Sequence, residues 1–223
     1  MSLAETATFG SGGAEPYAHA LRGAGELLFL RDSRSRTEAP VTMDVSRWNA
    51  DADAADLSLL ASVRGPVLDI GSGPGRMVRA ARDLGLAALG IDVSRAAIAH
   101  ARELGGTFAR VSVFEAVPRA GWWQTALLVD GNVGIGGDVP ELLARCAELL
   151  RPTGEIVVEV DGRPDHETRY LAEVVDGSGR RSDTFPWAEI GRDRLARHLP
   201  GPGLELVEHW QVGERSFCRL ARA

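Results

Sequence analysis

Apolar positions along this chain fall into short runs, and the rhythm of those runs changes near residue 65. Before that point the pattern is irregular. A short helix is expected over residues 16–23, opened by Pro16, which suits a first helical turn. Two apolar runs, 27–30 and 41–45, flank a polar stretch with Ser33, Ser35 and Pro40, which reads as a hairpin with a long loop. Ser46 is placed to cap one helix holding Trp48, Leu57, Leu59 and Leu60. Residues 1–15, with Gly10, Gly12 and Gly13, read as flexible unless a ligand orders them.

From Gly65 onward strands alternate with helices. Residues 66–70 form an apolar strand running into glycines, followed by a helix over 77–84 closed by Gly85. A second strand, 86–92, ends on Asp92, and Ser94 caps a helix over 95–104 that ends at Gly105 and Gly106. A third strand is expected over 108–114 and a fourth over 125–130. Asp138 and Pro140 open a helix running to Leu150, and Gly154 precedes a fifth strand over 155–161. Single helices between strands call for a doubly wound parallel sheet. The last two runs, 204–212 and 216–221, are separated by only three residues. No parallel crossover fits there, so the last strand must run antiparallel.

Composition narrows the function. The 223 residues carry a net charge of −6, and all 25 basic residues are arginine. An acidic chain without a basic run lacks the footprint that a phosphate backbone requires, so nucleic acid is not the expected partner. No run approaches the ~18 apolar residues of a membrane span, and the start shows no basic-then-apolar leader, which points to a cytoplasmic protein off the membrane. Cys146 and Cys218 sit in apolar runs and read as buried thiols. The five histidines are dispersed, and no metal cluster is legible.

The chemistry centres on Val67-Leu68-Asp69-Ile70-Gly71-Ser72-Gly73-Pro74-Gly75-Arg76. A glycine turn from strand to helix lets backbone approach a ligand, and the helix start offers N–H groups to an anion. A dinucleotide fingerprint wants glycine where Arg76 stands; here the third glycine falls one place earlier, at Gly75. Asp69 lies inside the strand, where a buried carboxylate needs N–H donors or an ammonium. Either a ligand amino group meets that need or the carboxylate pins the turn. Asp92 follows at the spacing of a ribose-binding acid.

With these residues in hand, the stretch from about 66 to 160 resembles class I S-adenosylmethionine-dependent methyltransferases. The first motif lies at 68–75, the acidic one at Gly90-Ile91-Asp92-Val93-Ser94, and Leu150-Arg151-Pro152-Thr153-Gly154 resembles the turn into the fifth strand. The resemblance implies a Rossmann-like α/β fold: a doubly wound, seven-stranded, mostly parallel sheet with an antiparallel last strand. It implies a small N-terminal cap at 1–60 and a methyltransferase unit at 61–223, interrupted by an insertion at 162–190. It implies S-adenosylmethionine as donor, leaving S-adenosylhomocysteine, bound by Asp69, Gly71, Ser72, Gly73, Gly75, Asp92, Val93, Phe114 and Asp130. Many relatives carry an acid for the adenine amino group after the third strand. None stands at 113–114, so adenine rests on Phe114, or Glu115 supplies the acid, or Phe114 is plain core.

The acceptor side follows from the crevice at the strand ends. The fourth strand ends in Asp130-Gly131-Asn132-Val133-Gly134-Ile135-Gly136-Gly137-Asp138, where Asp130 is the candidate proton acceptor and Asn132 a substrate contact. Both residues can equally brace the loop. Tyr17 and His19 in the cap are further substrate candidates, and His166 also lies within reach of the crevice. Trp48 and the insertion's Tyr170, Phe185 and Trp187 read as a lid, and Trp122 and Trp123 as cover for a sheet edge. The function expected is methyl transfer to a small molecule, a secondary metabolite being one option, on O, N or C. A non-catalytic S-adenosylmethionine-binding module and a nicotinamide-dependent oxidoreductase are the alternatives.

Overall fold

The computed structural model describes residues 9–13, 15–23, 27–35, 41–199 and 201–223. Its elements run α1 (Pro16–Arg22), β1 (Leu28–Asp32), β2 (Val41–Met43), α2 (Val45–Asn49), α3 (Ala54–Ala61), β3 (Val67–Ile70), α4 (Arg76–Asp83), β4 (Ala88–Asp92) and α5 (Arg95–Leu104). They continue with β5 (Phe108–Arg110), β6 (Trp123–Leu128), a 3-10 turn (Asn132–Gly137), α6 (Val139–Leu149), β7 (Leu150–Val160), β8 (Glu167–Asp176), β9 (Phe185–Ile190), α7 (Arg192–His198), β10 (Leu204–Val212) and β11 (Arg215–Arg222).

Seven strands form the main sheet in the order β10-β11-β7-β6-β3-β4-β5. β7-β6-β3-β4-β5 pair in parallel, while β11 lies antiparallel on β7 and forms a hairpin with β10. The expected doubly wound sheet with an antiparallel last strand is therefore present. Alternation along the strands divides the core. Leu68, Ile70, Ala126 and Leu128 face α6 and α7, while Val67, Leu127, Val129 and Val157 face α3 and α4. Leu59 and Leu60 of α3 are fully buried there, each contributing about 1.5–3 kcal/mol.

Several local expectations need correction. One helix was expected from Ser46; two form instead. Asp44 caps α2 through the Arg47 N–H, and Asp53 opens α3 with a reciprocal capping box to Asp56. The third strand stops at Arg110, because Ser112–Glu115 folds into a turn closed by Glu115 on the Ser112 N–H. Trp123 is inside β6 and buried, not sheet-edge cover, whereas Trp122 is exposed. Gly154 lies within β7, which starts directly at the end of α6.

The larger correction concerns the cap and the insertion. They are one structure: β1 and β2 form the expected hairpin, and β1 also pairs antiparallel with β8 of the insertion, giving a second sheet in the order β2-β1-β8-β9. Phe9 to Gly13, within the stretch expected to be flexible, dock on it. Asp183 N–H donates to Ser11 O at 3.0 Å, and the Phe9 ring lies 5.2 Å from Tyr17 and 5.7 Å from Trp187. Residues 1–8 and 14 of that stretch, and Pro40 in the hairpin loop, lie outside the described residues.

Candidate active site

The turn between β3 and α4 has a backbone that only glycine adopts readily. Gly71, Gly73 and Gly75 have φ of 73°, 51° and 85°, all left-handed. The turn is tied to β4, since the Gly71 and Ser72 N–H groups both donate to Ile91 O, at 2.9 and 3.0 Å. Asp92 closes it from the side: one carboxylate oxygen accepts from Gly73 N–H at 2.9 Å, the other from Ser94 N–H at 2.7 Å. Burial raises the Asp92 pKa, opposed by the N–H groups of Ser94, Gly73 and Val93.

Asp69 is different. It is 1% exposed, and neither carboxylate oxygen has a hydrogen-bond partner among the described residues. Burial first, then the neighbouring Asp130 charge, pushes its pKa up to about 7, with Arg76 pulling the other way. Ser72 Oγ, beside the turn, is also buried without a partner among the described residues. A carboxylate and a hydroxyl left open around a glycine turn fit a ligand carrying an ammonium and a carboxylate, such as the amino-acid end of S-adenosylmethionine.

Tyr17 on α1 roofs the turn. A Cβ built on Gly73 would stand 3.2 Å from its hydroxyl. The ring is 5% exposed, and burial, then Asp92, then Asp130, raise its pKa well above the ordinary value, so the hydroxyl remains a donor. Tyr17, Trp48 and Phe9 pack with Phe185 and Trp187 of β9, joining both halves of the second sheet in one aromatic wall. Phe114 is 41% exposed and lies against Gly136, where an added Cβ would meet its ring at 2.9 Å. Glu115, the alternative adenine acid, is engaged by the Ser112 N–H.

Of the two readings open for Asp130 and Asn132, the bonds they make are those of a brace. Asp130, itself at a left-handed φ of 56°, accepts from Arg47 Nη1 at 2.8 Å and Arg76 Nη2 at 2.7 Å, with Arg215 Nη2 3.5 Å away. Its N–H donates to Glu159. A carboxylate committed to guanidiniums is a brace, poorly placed to take a proton from an acceptor. Asn132 donates to Ile70 O and Gly71 O, both at 2.9 Å, and so holds the glycine turn. His19 is exposed on the far side of α1, 3.4 Å from Arg180.

Arginine 76, read from sequence only as a departure from a dinucleotide fingerprint, is 4% exposed and central to this network. Its Nε stands 3.0 Å from Asp56, near enough to pair though off the line of a hydrogen bond. Asp56, fully buried, also takes Arg215 Nη1 at 2.7 Å. Burial opposes the Arg215 charge, but bonds to Glu159 and Asp56 outweigh it and raise its pKa. These partners come from α2, α3, α4, the end of β6, β7 and β11, and no local spacing announces them. The fold also gathers Asp161, His166 and Glu189, three of the dispersed acid and histidine positions.

A family model described as a methyltransferase domain matches residues 47–209. The chain is 32% identical over 169 residues to the ubiquinone biosynthesis O-methyltransferase of Rhodopseudomonas palustris (strain BisB5). That alignment covers 71% of this chain and 64% of the relative. A SAM-dependent methyltransferase from Bacteroides fragilis in complex with S-adenosyl-L-homocysteine superposes with a TM-score of 0.75 at 18% identity, covering 98% of each chain. The Burkholderia thailandensis 1,6-didemethyltoxoflavin-N1-methyltransferase gives 0.56 at 19% identity, covering 76% of this chain and 77% of its own. The fold and the glycine turn define a Rossmann-like α/β protein, and the family match makes the class specific: the chain belongs to the class I S-adenosylmethionine-dependent methyltransferases.

Proposed function

We propose that this chain methylates a small-molecule acceptor held between the two sheets. The observation that carries the reading is the buried Asp69 carboxylate, which has no hydrogen-bond partner among the described residues and borders the left-handed glycine turn. Asp69 takes the donor's ammonium, the glycine turn and Tyr17 hydroxyl take its carboxylate, and Asp92 accepts from the ribose hydroxyls beside Val93. Phe114 covers the adenine. When bound, S-adenosylmethionine supplies a methyl group already activated on a sulfonium.

Rate then depends mainly on alignment of the acceptor with that methyl group. The Asp130–Arg47–Arg76 brace holds the loop after β6, and Asn132 couples that loop to the donor turn. Trp48, Phe185 and Trp187 belong to one apolar cluster whose rings meet edge to face, and half-buried Trp48 at its rim gives an apolar surface that suits an aromatic or heterocyclic acceptor. The second sheet and α1 act together as the acceptor lid over the methyltransferase unit, whereas α3 belongs to the main sheet's own core. The relatives include an O-methyltransferase and an N1-methyltransferase, in keeping with an oxygen or nitrogen acceptor. The net charge of −6 supports a small molecule over nucleic acid. Two buried free thiols, Cys146 and Cys218, suit a reducing, cytoplasmic setting.

The test pairs calorimetry of S-adenosylhomocysteine with a screen of phenols, amino sugars and N-heterocycles, read by S-adenosylhomocysteine release. Saturable nucleoside binding and turnover of one acceptor class are expected. Absence of S-adenosylhomocysteine binding would overturn the reading. A salt-sensitive gel shift with duplex DNA or RNA would overturn the acceptor class.

A further inference from the structure

At the C-terminal end of β7, away from the glycine turn, one imidazole and two carboxylates converge. Asp161 follows β7 directly, His166 lies in the loop to β8, and Glu189 is on β9; one donor atom from each lies within 4.8 Å of the others. His166 Nε2 stands 3.0 Å from Glu189 Oε2, and the second Glu189 oxygen accepts from the Tyr170 hydroxyl at 2.7 Å. The frame beneath is stapled by backbone bonds: Asp161 N–H to Ile190 O at 2.9 Å and Gly191 N–H to His166 O at 2.8 Å. The three side chains therefore hang from a rigid junction of both sheets.

We propose that Asp161, His166 and Glu189 form a three-ligand site for a zinc-class divalent cation. Two ligands about 2.1 Å from one ion stand roughly 3.0–3.4 Å apart at right-angled or tetrahedral positions, which the His166–Glu189 separation of 3.0 Å already meets. One imidazole with two carboxylates favours Zn²⁺ and its neighbours over Mg²⁺ or Ca²⁺, which prefer all-oxygen sets. Three protein ligands leave a coordination position open. Tyr170 holds Glu189 as an outer partner, the arrangement that keeps a ligating carboxylate in place.

Arg163 competes. It binds Asp161 through Nε and Nη2, both at 2.9 Å, but its side chain is 68% exposed, so it can swing into water when an ion arrives. Glu189 lies two residues along β9 from Trp187 and hence on the same strand face. The cluster thus lies beside the aromatic wall.

The experiment uses the full chain, purified without a histidine tag and stripped of metal. Zn²⁺ is titrated by calorimetry and Co²⁺ by visible absorption. One ion per chain is expected, with saturable binding lost in His166→Gln and Glu189→Gln and weakened about 10–100-fold in Tyr170→Phe, the usual effect of removing an outer partner. Arg163→Ala is expected to tighten binding, because it frees Asp161. Circular dichroism melts establish that each variant is folded. Absence of saturable binding, or binding unchanged in folded His166→Gln, overturns the site. Neither readout depends on methyl transfer.

Discussion

Two aspartates stand at the crevice edge of neighbouring strands and have opposite surroundings. Asp69 in β3 is buried with both oxygens unpartnered among the described residues; Asp130, just beyond β6, is held by Arg47 and Arg76 with Arg215 close by. A buried carboxylate without donors costs the apo protein stability, and folding alone gives no reason to keep one. A carboxylate saturated by guanidiniums ties elements together and has little left for chemistry. The contrast separates the two ends of the site. On the proposed reading, the unsatisfied group is where the donor binds and the satisfied one is the frame that holds that place.

The largest effect that would sharpen this contrast comes from Asp69→Asn. With a folded-state pKa near 7 against 3.8 ordinarily, the native state keeps its proton between those values while the unfolded chain has lost it. Native stability therefore falls as pH rises from about 4 to 7, by on the order of 4 kcal/mol from this group, and stays reduced above 7. Asp69→Asn removes that slope. Urea denaturation should show the variant more stable than the parent at pH 8 and little different near pH 4. An unchanged difference across that range would mean Asp69 is paired after all.

Arg76→Met acts in the other direction. It leaves the fully buried Asp56 and Asp130 each short of a cation, and a loss of about 3 kcal/mol in the same denaturation assay is expected. A loss under 1 kcal/mol would show that Arg47 and Arg215 carry the network alone. The smallest effect belongs to Asp92→Ala. S-adenosylhomocysteine affinity should weaken by about 2 kcal/mol in calorimetry through lost charged hydrogen bonds. Unchanged affinity would remove Asp92 from the ribose.

The glycine turn and its tie to Asp92 were legible in the sequence because their signals are local. The left-handed Gly71, Gly73 and Gly75 sit within five residues, Asp92 ends the next strand, and Ser94 and Asp138 cap helices by their own side chains. The frame was not legible, because its partners are remote in the chain. Arg47 meets Asp130 from 83 residues away, and Arg215 meets Asp56 from 159. The second sheet escaped for the same reason, since Leu28 pairs with Asp176 and neither run shows where its neighbour lies. For Asp130 and Asn132 the sequence left an acceptor contact and a loop brace both open, because a sequence does not show that a side chain's bonds are already taken.

Proton release on binding S-adenosylhomocysteine tests the central claim most directly. Calorimetry at pH 6 in buffers of different ionisation enthalpy counts the protons exchanged. If the ligand's ammonium meets Asp69, the carboxyl protonated in the free protein must ionise, and about one proton should leave at pH 6, falling toward none at pH 8.5. Asp69→Asn should abolish the release while still binding, more weakly. Binding at pH 6 without proton release, or release that persists in Asp69→Asn, would contradict the assignment of Asp69 to the donor.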